Sequence, residues 1–527
     1  MKSPDVMQQK STTVDGAVRP FKLRAAVPFF LAILSGVICY CAFPPVGLSP
    51  LAWIGLVPLM LALHQAQTAK RGAWVGLAFG VTFMGLFFHY FTMWGFVPFI
   101  GAIVITFWVY TLFGAIAAAL WQVPNPWLRV TGVAGIWVLL HHVFIHGGVI
   151  GFNQHNLAYT QHDLLPMIQI ASVFGHMGLL WLIILVNAAL TQAILGTTRW
   201  AVIPQNVNAR SWMRQSSAVA VVTYLLVILT YLLGAGVLAM RPAETSDGLE
   251  VAIVQGNSRL NTPVTAEDQL RTQAAYFRLQ ETVLPGTDLV IWPESALAAV
   301  INRHDDLERK VSELAQRMGG NLIMGTLEDR DGETYNTARL YDKNGEIIDR
   351  YDKMDLVVYG EYVPFREQLP FLKNYPLRQT DVVPGTERKL FDVKGIKVAP
   401  LICFEGMGGD PVRQLCRMGA QVLVIITSDA WAEDSPEAAQ HSLTGPFRAV
   451  EARRYLCRSA TTGVSAIYDP HGEPVDAIPV GVEGVAAATV YAKDKLSLYN
   501  IWGDWPLGIF CLIMVAWGLL EQRKCEL

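Results

Sequence analysis

Three ionisable residues stand at the ends of apolar runs: Glu294 in IWPES, Lys353 in RYDKMD and Cys403 in LICFE. Together they could support acyl transfer through a thioester. A free cysteine has a pKa near ~8.5, so it needs a neighbouring base to become a good nucleophile at neutral pH. Glu294 could take that proton and later exchange one with an acceptor. Lys353 is a poor base while charged and suits the oxyanion of a tetrahedral intermediate instead, joined there by the backbone N–H of Phe404. Each residue also has a plain structural account. Cys403 could be a small hydrophobe closing a core strand, Glu294 an acid at a helix N-terminus, and Lys353 a solvated residue after a hairpin.

The elements that would position them read as alternating strands and helices. Apolar or alternating runs predict strands at 249–257, 287–295, 321–329, 334–342, 346–353, 396–405, 420–430, 455–469 and 485–492, with KNG at 343–345 as a hairpin turn. Amphipathic stretches predict helices at about 265–284, 305–318, 408–418 and 435–454. Several of the strands are apolar nearly throughout, as in sheets covered on both faces, so a layered α/β domain is expected. In such domains functional residues gather where strands end.

The rest of the chain is of another kind. Of 527 residues, 52% are hydrophobic and 16% charged, against about 25% charged in soluble domains. Stretches long enough to cross a bilayer lie near 25–43, 50–66, 73–95, 97–121, 130–150, 166–196, 217–240 and 501–520. The expected organisation is a cytoplasmic tail (1–24), seven transmembrane helices (25–241), a catalytic domain (242–497), and a last helix with a short tail (498–527). Lys2, Lys10, Arg19, Lys22, Arg24, Lys70, Arg71, Arg129, Arg199, Arg210, Arg214, Arg523 and Lys524 all fall on one side if both termini are cytoplasmic. The catalytic domain then lies outside. A net charge of −3 argues against nucleic acid as a partner. The seven cysteines, Cys39, Cys41, Cys403, Cys416, Cys457, Cys511 and Cys525, contain no CxxC pair, so neither a zinc site nor a disulfide framework is indicated.

Glu, Lys and Cys in that order resemble the triad of the nitrilase superfamily. VQGN, IWPESA, YNTA, YDKMDLVVYGEYVPF, LICFEG, SDAW, QHSLTGPFRAVEARRYLCRSATTG and WGDWPLG resemble, more narrowly, the apolipoprotein N-acyltransferase family. AFPP, GFNQHNLAYTQ and PMIQIASVFGHMGL in the apolar half are similar to its motifs too. The resemblance implies a four-layer αββα sandwich beside a multi-span helical membrane region, in a bacterial inner membrane with the sandwich on the periplasmic side. It implies an enzyme without cofactor or metal. A phospholipid, typically phosphatidylethanolamine, gives an acyl chain to the cysteine. The thioester passes it to the α-amino group of a diacylglyceryl-cysteine on a prolipoprotein. Glu294 is then the base, Lys353 the oxyanion stabiliser and Cys403 the nucleophile, with Glu361 and Glu405 orienting Lys353 or the acceptor amine.

The sequence departs from the family pattern in places. Phe404 stands where Tyr is frequent, 258–268 lacks an expected Trp, Asp355 and Val358 replace His and Pro, and Thr461 and Thr462 replace a pair of Asn. His141, His142, His146 and His155 cluster near the outer end of the fifth stretch. Without a carboxylate partner HHxxxH is a poor metal site, so interfacial hydrogen bonding is expected there. Two other functions compete: a membrane-tethered amidase with water as acceptor, and a transporter or receptor with an inactive outer domain.

Overall fold

The computed structural model describes residues 26–148, 151–197, 209–244, 247–258, 264–364, 366, 368, 381–432 and 435–526. Lys2, Lys10, Arg19, Lys22, Arg24 and Arg199 lie outside the described residues, as do the side chain of Arg210 and residues 259–263 of the segment without Trp.

The apolar half is helical: α1 (Val27–Cys41), α2 (Val57–Ala66), α3 (Ala69–Phe87), α4 (Phe96–Leu120), α5 (Pro126–Ile145), α6 (Leu165–Ile168), α7 (Ala171–Thr197) and α8 (Ala209–Ala239). Thr68 caps α3 by accepting from the Arg71 N–H, and Asn125 caps α5 by accepting from that of Trp127. Among the described residues six helical segments are long and apolar enough to cross a membrane: Ser49–Ala66, Phe96–Leu120, Pro126–Ile145, Ala171–Thr197, Trp212–Ala239 and Trp505–Lys524. Val27–Cys41 is shorter, at 15 residues.

Packing here rests on small residues and on polar groups that satisfy broken backbone. Gly72, Gly76 and Gly80 recur every fourth residue along one face of α3, and Gly114 of α4 meets them. A Cβ on Gly72 would sit 2.2 Å from the Gly114 carbonyl oxygen, and one on Gly76 would sit 2.1 Å from that of Tyr110. Helices approach this closely only through such residues. The second apolar stretch is not one helix, because a 3-10 turn (Ser49–Trp53) precedes α2. The buried Asn187 of α7 repairs the break: its Oδ1 accepts from the Leu56 N–H at 2.9 Å and its Nδ2 donates to the Ala52 carbonyl at 2.9 Å. Without water, these backbone groups have to be satisfied within the protein. Arg129, expected as a loop charge, is instead buried in the first turn of α5 and donates to the Val123 carbonyl and to Gln192.

Among the described residues the second half contains twelve strands in two six-stranded sheets. The first, in the order β12-β1-β2-β3-β4-β5, contains β1 (Leu249–Gln255), β2 (Leu289–Trp292), β3 (Asn321–Arg330), β4 (Glu333–Tyr341), β5 (Ile347–Asp352) and β12 (Gly484–Val490). The second, in the order β11-β10-β9-β8-β7-β6, contains β6 (Phe391–Val393), β7 (Ile396–Ile402), β8 (Val422–Thr427), β9 (Tyr455–Ala460), β10 (Ser465–Tyr468) and β11 (Pro474–Ile478). Side-chain alternation builds the layers. Along β2, Leu289 and Ile291 enter the core between the sheets, where Val398, Val424 and Ile426 also lie. Val290 and Trp292 face outward and pack with residues of α9 (Ala266–Gln280) and α10 (Asp305–Met318), among them Tyr276, Val311 and Leu314. On the far side, Leu401 and Leu423 pack under α11 (Gly409–Arg417) and α13 (Gly445–Ala452). The result is the expected αββα sandwich.

Three sequence expectations change in detail. The strand expected at 455–469 is two, β9 and β10, because Gly463 turns so close to Asp429 that a Cβ would lie 1.8 Å from its Oδ2. The helix expected at 435–454 is also two, α12 (Glu437–Ser442) and α13, which restarts at Gly445-Pro446. The last apolar stretch divides into α14 (Leu498–Trp502) and α15 (Trp505–Glu526) at Gly503, whose φ is +63°. The short strands β6 and β11 carried no readable sequence pattern.

The contact between α3 and α4 leaves no room for a larger side chain. Gly76→Leu should lower stability by about 1–3 kcal/mol or more, read as loss of the monodisperse peak when the detergent-solubilised protein is heated. Unchanged thermal stability would mean that these helices are not held by close backbone approach.

Candidate active site

The nucleophile candidate owes its position to a sharp turn. β7 ends at Ile402, and Cys403 opens a short 3-10 helix (Cys403–Met407) with φ of +53°, a left-handed conformation for a residue with a Cβ. Glu405 holds the turn. Its Oε2 accepts from the Ile402 N–H at 2.8 Å, while Oε1 accepts from the Tyr351 hydroxyl at 2.6 Å and the Met354 N–H at 2.9 Å. Arg388 Nη1 stands 3.2 Å from the same Oε1. Glu405 therefore ties the end of β7 to both sides of Lys353 without touching the lysine itself. Its carboxyl is pushed up by burial, with Arg388 opposing.

Lys353 follows the last residue of β5 and is 1% exposed. Its Nζ lies 2.8 Å from Glu361 Oε2 and 3.4 Å from Glu294 Oε1. Burial disfavours the ammonium, but Glu294 and Glu361 outweigh it and hold the pKa well above the ordinary lysine value. Lys353 is thus a fixed cation. Glu361 feels the reciprocal effect: burial would raise its carboxyl, and Lys353 holds it below the usual range.

Glu294 stands two residues beyond β2. It lies against Gly325 of β3, where a Cβ would come within 2.5 Å of the Glu294 Cα. Its Oε2 accepts from the Ser428 N–H at 2.8 Å, and its Oε1 accepts from Asn336 Nδ2 at 2.7 Å. The same Asn336 nitrogen donates to Glu361 Oε1 at 2.8 Å. Asn336 thus spaces the two carboxylates that flank the lysine. Its residue-level signal, an amide inside the otherwise strand-like TYNTARLY, did not mark it as a site residue. Ser428 was equally hidden, since its contribution is a backbone N–H.

The structure brings Glu294, Lys353 and Cys403 together. Cys403 is 8% exposed; burial and the Glu294 carboxylate push the thiol pKa up, whereas Lys353 and the neighbouring Thr427 pull it down. The Phe404 N–H is in the first turn of the 3-10 helix, where amides have no partner within the helix.

Two of the departures from the family pattern, Asp355 and Thr461, have polar partners. Asp355 pairs with Arg388 Nη2 at 2.5 Å. Thr461 Oγ1 accepts from the Asp429 N–H at 3.2 Å and so supports the loop whose Ser428 N–H meets Glu294. Behind it, Asp429 is fully buried between His441 Nδ1 at 2.8 Å and Arg458 Nη2 at 3.1 Å.

The helical region braces the same turn. Arg448 of α13 donates from Nη1 to the Met407 carbonyl at 2.9 Å and from Nη2 to Glu451 at 2.8 Å. Glu451 Oε1 in turn accepts from the His176 N–H at 2.7 Å, just after the α7 kink at Gly175, whose φ is +64°. Gln154 donates to Glu437 at 2.9 Å and Gln440 to the Pro44 carbonyl at 2.8 Å. Trp431, in the loop after Glu294's partner Ser428, packs on Trp94 with ring centroids 5.4 Å apart. Beyond Trp94, Phe96 and Val97 are 76% and 83% exposed, leaving apolar surface beside this contact.

The four histidines divide into two pairs. His141 and His155 are buried among aromatic rings, with His141 stacked on Trp137. His142 and His146 lie at the junction with the sandwich, beside Asp504 and Asp410. The carboxylates that the sequence pattern lacked are therefore present in space.

Comparison with known proteins shows the same division. Residues 250–494 match the carbon-nitrogen hydrolase family and residues 35–189 the apolipoprotein N-acyltransferase N-terminal domain. An apolipoprotein N-acyltransferase of Geobacter metallireducens is 31% identical over 502 residues, covering 90% of this chain and 92% of that protein. One of Gloeobacter violaceus is 26% identical over 520 residues (95% of each chain), and one of Pseudomonas putida 29% over 520 residues (94% of this chain and 96% of that protein).

The charges around the thiol predict its reactivity toward a small alkylating agent, followed by mass spectrometry of the Cys403 peptide. Alkylation of the native protein should be slow at neutral pH and rise with pH, because burial and Glu294 hold the thiol protonated. Lys353→Met should slow it further, since it removes the cation that favours the thiolate. Faster alkylation of Lys353→Met than of the native protein would refute this electrostatic arrangement.

Proposed function

This chain belongs to the apolipoprotein N-acyltransferase family, and on that premise we propose that it moves an acyl chain from a membrane phospholipid, through a thioester on Cys403, to the N-terminal amine of a diacylglyceryl-cysteine lipoprotein precursor. The observation that carries this reading is the buried Glu294–Lys353–Cys403 cluster on a turn braced directly by the apolar helices. A soluble amide hydrolase has no need of that brace, whereas an enzyme with two lipid substrates has to work at the bilayer surface.

In the first half-reaction Glu294 takes the thiol proton and Sγ attacks the ester carbonyl carbon. Negative charge develops on the carbonyl oxygen, where the Lys353 ammonium and the Phe404 N–H receive it. Collapse breaks the ester C–O bond, and the departing lysophospholipid oxygen takes the proton from Glu294. In the second half-reaction the lipoprotein amine attacks the thioester carbon, the same two donors hold the oxyanion, and Glu294 accepts the amine proton. The amide forms as the C–S bond breaks, and the thiolate is reprotonated. Glu361 and Asn336 act by position: one anchors the lysine, the other spaces the two carboxylates. Exclusion of water from the buried cluster favours aminolysis over hydrolysis. Phosphatidylethanolamine is the proposed donor.

The proposed setting is a bacterial inner membrane, with both termini cytoplasmic, seven transmembrane helices before the sandwich and one after it, and the sandwich on the periplasmic side. Two features support it. Lys70, Arg71, Arg214, Arg523 and Lys524 are exposed at helix ends away from the sandwich, while Arg241, at the sandwich end of α8, is paired with Asp469 at 3.1 Å.

Purified enzyme given phospholipid alone should release lysophospholipid, up to one equivalent per active site, and carry an acyl adduct on Cys403 by mass spectrometry. A diacylglyceryl peptide should then discharge the adduct into an amide. Cys403→Ala should form no adduct, and Lys353→Ala should slow acylation about 10²–10³-fold. Lysophospholipid released only when peptide is present, with no trappable adduct, would overturn the covalent route. Discharge by water as fast as by peptide would favour the hydrolase. For orientation, a reporter active only in the cytoplasm should work when fused after Lys70 and fail after Asp247; the opposite result would invert the topology.

A further inference from the structure

We infer that His142, His146, Asp504 and Asp410 form a binding site for a divalent transition metal, zinc above all, which fastens the helical region to the segment after the nucleophile. The four residues come from three places. His142 and His146 share one face at the end of α5, Asp410 is in the first turn of α11, and Asp504 is in the link between α14 and α15. His142 Nδ1 is 3.6 Å from Asp504 Oδ2, and His146 Nε2 is 2.9 Å from Asp410 Oδ2. One ligand atom from each of His142, His146 and Asp504 lies within 4.8 Å of the others. Ligand atoms held tetrahedrally at ~2.0–2.1 Å from zinc stand roughly 3.4 Å apart. The two measured pairs bracket that spacing.

Hydrogen-bond bookkeeping points to a cation rather than to simple polar contact. His146 Nδ1 is 2.8 Å from the His142 carbonyl oxygen, which can only accept, so Nδ1 bears a hydrogen. In the neutral ring this leaves a lone pair on Nε2, which faces a carboxylate oxygen that is itself an acceptor. Either a second proton on the ring or a bound cation has to stand between them. An imidazole whose other nitrogen donates to a backbone carbonyl is the usual form of a metal-ligating histidine. Asp504 adds a second observation. Its side chain is 15% exposed, and its Oδ1 is buried without a hydrogen-bond partner. Asp410 has Oδ1 engaged by Arg413 at 3.2 Å, leaving Oδ2 for the site. Two imidazoles with two carboxylates suit zinc or its first-row neighbours better than calcium or magnesium, which prefer all-oxygen sets.

The site is separate from the Glu294–Lys353–Cys403 cluster, yet Asp410 lies seven residues after Cys403. A metal there would hold the segment after the nucleophile turn against α5. The imidazoles are about two-fifths exposed (42% and 40%), so the ion would exchange with solvent rather than be locked in.

The test uses the full-length, tag-free protein in lipid nanodiscs, stripped with a chelator and then titrated with Co²⁺. One equivalent should give the visible d–d absorption of tetrahedral cobalt, bleached by Zn²⁺, and Zn²⁺ should raise the melting temperature by a few degrees. His142→Ala/His146→Ala should lose the absorption and weaken binding more than about tenfold, with no melting shift on adding Zn²⁺. Should that variant fail to fold, Asp504→Asn, which keeps the shape, should show the same weakening. Wild-type protein without cobalt absorption, or a zinc-induced shift equal in wild type and variants, would overturn the site. So would a melting temperature that tracks histidine protonation but ignores zinc, since a proton would then be the cation between His146 and Asp410.

Discussion

The burial of one ammonium group organises the site. Lys353 is almost wholly removed from water, and an unpaired charge in that position would cost on the order of several kcal/mol. Glu361 and Glu294 offset the cost, but two carboxylates beside one lysine leave a net negative charge that must be dispersed. Asn336 and the Ser428 and Val357 N–H groups do this by donating to the carboxylate oxygens. The arrangement fixes the lysine as a cation, keeps one carboxylate beside the thiol, and requires the loops after β2, β5 and β8 to meet. If any of these loops were displaced, a buried charge would lose its partner.

The second constraint is the left-handed turn at Cys403. A residue with a Cβ adopts that conformation only when its surroundings enforce it. Glu405 enforces it from the sandwich side through the Ile402, Tyr351 and Met354 donors. From the other side, Arg448 holds the Met407 carbonyl and is itself locked by Glu451 and the kinked helix at Gly175. Nucleophile and membrane-side scaffold thus share one network of buried polar contacts. The motifs AFPP, GFNQHNLAYTQ and PMIQIASVFGHMGL contain Pro44, Gln154 and His176, which belong to this contact surface.

The sequence by itself determined the features that are written as pattern along the chain. Apolar length marked the helical stretches, and short apolar or alternating runs marked most of the strands; both depend on local spacing, which survives without knowledge of partners. The Glu, Lys and Cys at strand ends were legible for the same reason, since a charged residue closing an apolar run is visible in one dimension. Breaks set by long-range packing were not. Gly463 divides a strand because Asp429 lies against it, and α2 starts late because Asn187, far along the chain, satisfies the broken backbone. Asn336, the Ser428 amide, and the meeting of His142 and His146 with Asp504 and Asp410 were also beyond the sequence. Hydrogen bonding and ligation depend on distances of about 3 Å between atoms from remote segments, and only the folded chain sets those distances.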